Sequence, residues 1–171
     1  MAHLNLRKVE SRHGHDTHSL DPDGDVIKGT RCFHATIHAV RSGVCAVIDD
    51  LAGDGLASPH LETVEIVLAE VINNIVEHAY GPDEESQADE PCMVRVSYDL
   101  YPKAMALTVV DRGKPFPGAE LPPGRTLAPD TDREELPEGG FGWRIIRDLT
   151  VEQIYQRDSE ENSLQLRFDF S

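Results

Sequence analysis

The stretch of sequence that decides the fold is residues 65–80, EIVLAEVINNIVEHAY. On a helix at 100° per residue, its apolar side chains fall within an arc of roughly 100°, which we expect to face a hydrophobic core. Glu70, Asn74 and His78, spaced i, i+4 and i+8, form a polar stripe along the border of that arc. The stripe is either the solvated edge of a surface helix or the half-sheltered wall of a cleft. The predicted apolar arc consists of Val64, Leu68, Val71, Ile72, Ile75 and Ala79.

The size and charge of the chain limit its class. A length of 171 residues predicts one domain. The net charge of −15 repels phosphate backbones and anionic lipids, so we expect neither nucleic acid nor membrane as a direct partner, whereas a basic protein partner is compatible. The sequence lacks an 18-residue apolar run and the apolar region of a signal peptide, which predicts a cytoplasmic protein.

Three cysteines, Cys32, Cys45 and Cys92, are odd in number and widely spaced. We therefore predict that they are small buried residues in a reducing compartment rather than disulfides or metal ligands.

Residues 1–28 carry little apolar periodicity and are predicted to be a flexible N-terminal extension or loosely held arm before a single domain of residues 29–171. The domain begins with a short predicted strand around residues 30–36, after which Thr36 is expected to cap a helix that ends at residues 53–55. Ser58 is predicted as the cap, and Pro59 as the first residue, of the helix that contains the opening stretch.

Alternating apolar residues in segments 93–100 and 104–110 predict a hairpin whose second strand runs into Asp111. A proline-rich segment of about 25 residues follows, and its length suggests a lid over about residues 114–138. Segments 151–157 and 163–170 predict a second hairpin, joined by the polar turn DSEEN at residues 158–162.

Glycines cluster at residues 138–142, EGGFG, directly before the amphipathic segment WRIIRDLT. A glycine-rich turn that opens a helix presents backbone N–H groups at the positive end of the helix dipole, where phosphate is favoured. Gly140 and Gly142 are the expected phosphate contacts. A tight turn with no ligand would produce the same pattern.

These parts occur in a specific order: a Glu-x-x-x-Asn helix, a strand ending in Asp-x-Gly, a lid-length loop and a Gly-Gly-x-Gly turn into a helix. Over about residues 30–170 the chain resembles the Bergerat ATP-binding fold of the GHKL superfamily, and more closely the small bacterial anti-sigma factor serine kinases of the RsbW type. AEVINNIVEHAY resembles the N box of that family, VVDRGKPFP its first glycine box and EGGFGWRIIRDL its second. Pro115 stands where the wider superfamily has a second glycine, a variant familiar among the anti-sigma kinases.

The resemblance implies an α+β fold, a two-layer sandwich with a mixed, mostly antiparallel sheet and helices on one face. The residue types fit an ATP site. The Asn74 amide oxygen can bind Mg²⁺, Asp111 can accept a hydrogen bond from the adenine amino group, and Gly113 lets the chain turn close to the base. Glu70 can orient a hydroxyl nucleophile and take its proton. In the resembling family the matching glutamate is thought to be the base and the matching asparagine the magnesium ligand.

Four further polar residues near these motifs have no single predicted role. His78 matches a family position but is equally explained by helix packing or capping. Asn73 lies about 100° round the helix from Asn74, off the stripe. Arg112 and Lys114 either reach phosphates or are solvated charges beside the lid.

The implied function is an ATP- and Mg²⁺-dependent protein serine/threonine kinase that phosphorylates a STAS-type anti-sigma factor antagonist and sequesters a sigma factor. The alternative is a nucleotide-gated binding module with little or no turnover. A third hypothesis is a free-standing histidine kinase catalytic domain. The lack of a dimerisation helix with a phosphorylatable histidine argues against it. Relatives often dimerise, so a homodimer is a further expectation.

Overall fold

A computed structural model of the chain describes residues 26–80, 93–116, 121 and 141–171. Residues 1–25 of the predicted extension, residues 117–120 and 122–138 of the predicted lid, and Gly140 lie outside the described residues. The elements in chain order are β1 (Ile27–His34), α1 (Ile37–Gly53), α2 (Ser58–Asn74) with its π-helical continuation (Ile75–Tyr80), β2 (Met93–Tyr101), β3 (Ala104–Asp111), α3 (Phe141–Leu149), β4 (Glu152–Asp158) and β5 (Glu161–Asp169).

The five strands form one sheet in the order β1-β2-β3-β5-β4. This arrangement confirms the predicted α+β class and both predicted hairpins. We expected a mixed, mostly antiparallel sheet, and every strand pair among the described residues is antiparallel. Tight turns join β2 to β3 and β4 to β5, and such turns connect only antiparallel neighbours.

Among the described residues the helices cover one face of the sheet, and the opposite face is called the open face. Side chains alternate between buried and partly exposed along β2, β3 and β5, as expected when helices pack on a single face. The buried strand residues form one core with the apolar sides of all three helices. The innermost strand residues are Val94, Val96, Met105, Leu107, Val109, Leu166 and Phe168.

Helix α1 begins as predicted, because the Thr36 side chain accepts a hydrogen bond from the Ala39 N–H at 3.1 Å. The start predicted for α2 is wrong by one residue. Its N-cap is Ala57, whose carbonyl accepts from the N–H groups of His60 and Leu61, while Ser58 is already helical. The cap is therefore a backbone carbonyl with no side-chain bond.

The helix of the opening stretch is α-helical only as far as Asn74. Every residue of the predicted apolar arc is buried, which confirms its orientation. From Ile75 to Tyr80 the chain forms a π-helical turn, in which i→i+5 bonds widen the winding. The wider turn changes the angular phase, and His78 is exposed at its surface.

The predicted burial of the cysteines is wrong for Cys32 and Cys45, which are both exposed and unpaired. Cys32 lies on the edge strand β1 opposite Arg95, on the open face of the sheet. Cys45 lies on the solvent side of α1. Cys92 is outside the described residues.

Candidate functional site

Asn74 is held in one orientation by the helix that carries it. Its Nδ2 donates to the backbone carbonyl oxygen of Glu70 at 2.7 Å, and both side chains are half-buried. Because a carbonyl oxygen only accepts, the amide nitrogen must face it. The Oδ1 atom is therefore the end of Asn74 left for a ligand, and an amide oxygen suits a hard cation such as Mg²⁺.

Gly142, in the first turn of α3, lies against both of these residues. A Cβ atom added at Gly142 would be 2.5 Å from Glu70 Oε2 and 3.6 Å from Asn74 Nδ2. Backbone N–H groups in the first turn of a helix have no partner within the helix and attract anions. The structure thus brings the second glycine box together with Glu70 and Asn74, residues about 70 positions earlier in the sequence.

Asp111 ends β3 in a buried position, with 6% of its surface exposed. Its Oδ1 accepts from the Gly113 N–H and from Asn162 Nδ2, each at 2.8 Å. Burial raises the pKa of the Asp111 carboxyl, and the two hydrogen bonds and the nearby Arg157 charge act against that rise. Neither bond uses Oδ2, the second acceptor atom.

The first glycine box contacts the π-helical turn. A Cβ atom added at Gly113 would lie 2.6 Å from Ala79 Cβ and 2.7 Å from the Ala79 carbonyl oxygen, and the Lys114 N–H donates to that oxygen at 2.8 Å. Ala79 lies on the continuation of the helix that carries Glu70 and Asn74. Gly113, which donates to Asp111, therefore packs against that same continuous helix.

The remaining candidates are peripheral. His78 and Asn73 are exposed, whereas Asn74 is half-buried. Arg112 forms an ion pair with Glu161 at 3.0 Å.

Sequence reasoning missed Asn162. We placed it in the turn DSEEN, but it lies in β5, paired with Asp111 and 5% exposed. Its Oδ1 accepts from the Tyr155 hydroxyl at 2.7 Å and from Arg157 Nη1 at 2.8 Å, and its Nδ2 also reaches the Gly113 carbonyl at 3.1 Å. The sequence did carry a signal, since residue 162 is in the two-residue phase of the buried side chains at 164, 166 and 168.

Comparison with known proteins identifies the family of the chain. The family model described as "Histidine kinase-like ATPase domain" matches residues 33–168. The chain therefore belongs to the histidine kinase-like ATPase domain family, a class that implies ATP binding. No helix within the described residues is both long and apolar enough to cross a membrane.

Within this family the similar proteins include RsbW kinases. The chain is 26% identical over 96 residues to "Serine-protein kinase RsbW" of Oceanobacillus iheyensis, covering 56% of this chain and 57% of that protein. It is 29% identical over 126 residues to the protein of the same name from Halalkalibacterium halodurans, covering 72% and 70%. "Anti-sigma F factor" of Pasteuria penetrans is 30% identical over 99 residues, covering 58% and 60%. The chain thus spans a little over half to about 70% of these relatives.

A solved structure shows the same fold. The crystal structure of the RsbU and RsbW domains of a Mycobacterium tuberculosis protein aligns with 84% of this chain and 32% of that chain, with a TM-score of 0.51 and 16% identity.

Replacing Gly113 with alanine is expected to lower the free energy of unfolding by about 1–3 kcal/mol, because the new methyl group would overlap the Ala79 backbone, which cannot move cheaply. The measurement is urea denaturation. Gly53→Ala is the matched control, since nothing lies within 4 Å of a Cβ atom there. Equal stability of the two variants would show that Gly113 does not contact the π-helical turn.

Proposed function

We propose that this protein is an ATP- and Mg²⁺-dependent protein serine/threonine kinase of the cytoplasm. It phosphorylates a STAS-type anti-sigma factor antagonist and sequesters a sigma factor. The observation that carries the proposal is the position of Glu70, one helical turn before Asn74 and against the first turn of α3. A module that only binds a nucleotide has no need of a carboxylate there. The names of the similar RsbW and anti-sigma F proteins support the same function.

The described residues divide the work of binding ATP. Asp111 Oδ2 accepts from the adenine amino group. Gly113, which has no side chain, lets the backbone turn close to the base. Asn74 Oδ1 would hold Mg²⁺, and the ion would neutralise phosphate charge. Gly142, with no side chain, leaves the N-terminal turn of α3 open to the phosphates, and the same role is proposed for Gly140.

Glu70 supplies the proton chemistry. Transfer of the γ-phosphoryl group to a serine or threonine hydroxyl forms a new P–O bond, breaks the bond to the β-phosphate and releases the hydroxyl proton. A carboxylate orients that hydroxyl and accepts the proton. Glu70 is half-buried beside Asn74, so it lies next to the proposed metal and phosphates.

The second candidate is a nucleotide-gated module that holds a basic regulator with little turnover. The net charge of −15 favours it, because an acidic surface attracts a basic partner whether or not phosphate is transferred. It predicts ATP binding and partner binding without a phosphorylated product.

The experiment incubates the protein with MgATP and each STAS protein encoded near its gene, and intact-mass spectrometry follows the products. The kinase proposal expects a gain of one phosphate on a serine or threonine of one STAS protein. ATP binding with no phosphorylated product for any of them would favour the binding module.

Gly142→Ala is expected to reduce phosphate transfer at least tenfold while leaving the fold intact. The added Cβ atom would lie 2.5 Å from Glu70 Oε2, so the flexible carboxylate must move away. Alanine is otherwise favoured over glycine in a helix by up to about 1 kcal/mol, so the melting temperature should not fall. The assay is the same mass measurement beside a thermal melt. Unchanged transfer in a folded variant would show that the position of Glu70 is unimportant.

A further inference from the structure

We propose that Asn162, oriented by Arg157, is the positioning residue that makes Asp111 a hydrogen-bond acceptor and thereby sets a preference for adenine over guanine. The proposal rests on the proposed binding of ATP. It goes beyond it, because it assigns nucleobase selection to the hairpin of β4 and β5, which no sequence motif marks.

Arg157 determines which groups donate and which accept in this hydrogen-bond network. A guanidinium group donates and never accepts. Its Nη1 donates to the Gly113 carbonyl and to Asn162 Oδ1, each at 2.8 Å. The carbonyl end of the Asn162 amide must therefore face β4, and its NH₂ end must face Asp111.

Tyr155 contacts the same oxygen of Asn162. Its hydroxyl oxygen accepts from the Phe116 N–H at 3.2 Å, and its single proton is donated to Asn162 Oδ1 at 2.7 Å. Two donors thus hold Asn162 Oδ1, and a flipped amide would place its NH₂ group against the Arg157 guanidinium, which cannot accept. The orientation of Asn162 is fixed before any nucleotide arrives.

The orientation of Asn162 determines which oxygen of Asp111 receives a donor. Asp111 Oδ1 receives the Asn162 NH₂ group and the Gly113 N–H, so a proton on that oxygen would collide with two donors. Oδ2 is the atom left for the nucleobase, and while the carboxyl is ionised it only accepts. The adenine amino group is a donor and fits it. Guanine carries a carbonyl oxygen at the corresponding ring position, which would face Oδ2 as acceptor against acceptor.

The ionised state of Asp111 depends on the same contacts, since burial favours the neutral form and Asn162, Gly113 and Arg157 favour the charged one. A neutral Asp111 would carry its proton on Oδ2, and that atom would then donate, which suits the guanine oxygen and not the adenine amino group. The other charged or titratable groups described around this end of β3 include Tyr80 from the π-helical turn, Arg95 from β2, Arg112 and Lys114 from the following segment, Tyr155 from β4, and Glu161 from β5, which pairs with Arg112 and Arg95.

The test compares ATP and GTP binding to the whole chain by isothermal titration calorimetry between pH 5 and pH 9. Asn162→Asp has the same shape and still accepts from Arg157 and Tyr155, but it places a second carboxyl against Asp111 and removes the donor. ATP binding needs ionised Asp111, so affinity is lost as pH falls through the Asp111 pKa. Because the variant raises that pKa, the loss is expected to move to higher pH.

At pH 7 the dissociation constant of ATP for Asn162→Asp is expected to rise at least about tenfold, and the ratio of ATP to GTP affinity to fall by a similar factor. Asn162→Ala provides a second variant with the same expected direction, and circular dichroism confirms that the compared proteins are folded. Ser163→Ala is the control, because this neighbouring side chain faces the open side of the sheet opposite Val110 and should leave both quantities unchanged.

Folded Asn162 variants that keep the wild-type pH profile and ATP-to-GTP ratio would overturn the proposal, even if their affinities fell uniformly, because a uniform loss reflects only damaged structure. Wild-type protein that binds no ATP would overturn the proposed function as well. The two failures are therefore distinguishable.

Discussion

Replacing Glu70 with glutamine is expected to lower the rate of phosphate transfer by about 10²- to 10⁴-fold and to leave MgATP affinity nearly unchanged. Glutamine matches glutamate in shape but cannot take the proton of the hydroxyl nucleophile. The orientation of Asn74 should survive the change, because its Nδ2 bonds the backbone oxygen of Glu70 and not the carboxylate. Loss of turnover without loss of binding is the kinetic signature of a group that acts in the transition state.

The rate is measured as phosphorylated STAS protein formed per minute at saturating MgATP, and affinity by calorimetry. Glu77→Gln is the matched control, because Glu77 is an exposed glutamate of the same continuous helix. Full transfer by Glu70→Gln would mean that another group takes the proton. Equal loss of binding and transfer would instead assign Glu70 to nucleotide binding.

Asp111→Asn is expected to weaken ATP binding by about 10- to 100-fold. Asp111 Oδ1 already receives two N–H donors, and Oδ2 is proposed to receive the adenine amino group. An amide has one oxygen and one NH₂ group, so a donor must face a donor at one of these two places, whichever way the side chain turns.

Calorimetry with ATP measures this loss, and Asp99→Asn is the matched control. Asp99 is an aspartate of the adjacent strand β2 that pairs with Lys28 on the open face of the sheet, so its replacement should not change ATP affinity. If Asp111→Asn binds ATP as tightly as the wild type does, the adenine acceptor is a different group.

Much of the fold could be predicted from local patterns in the sequence. The apolar arc of α2, the Thr36 cap and the alternation in β2 and β3 each depend on neighbouring residues, and each is confirmed. The π-helical turn was not predicted, because an i→i+5 bonding pattern depends on what the turn packs against. Here the turn places Tyr80, whose hydroxyl donates to the Met93 carbonyl and accepts from the Arg112 N–H.

The cysteine error has a similar origin. We predicted that the cysteines are buried from their residue type, but the exposure of a side chain depends on its position in the fold. Cys45 is in helical phase with Arg41 and Asp49, both exposed, and this spacing of four residues was the better guide. Cys32 is exposed because it lies on the open face of the edge strand β1, which the sheet order and register reveal.

Part of the candidate site could likewise be predicted from the local sequence, and part of it could not. Glu70 and Asn74 lie on one helix, so their proximity could be predicted from spacing alone, and motif order pointed to Gly142. The pairing of Asp111 with Asn162 could not be predicted, because it depends on the register of β3 with β5, which sets the two residues opposite each other across 51 positions of sequence. Long-range register of this kind is fixed by the packed core and is not expressed in any local motif.

The most direct test of the central claim is a calorimetric titration of the wild-type protein with ATP, in the presence and absence of Mg²⁺. One ATP site per chain is expected, with higher affinity when Mg²⁺ is present and a melting temperature that rises with ATP concentration through mass action. A folded protein that shows neither heat of binding nor thermal stabilisation with MgATP would contradict the account, because the proposed roles of Glu70, Asn74 and Asp111 all require a bound nucleotide.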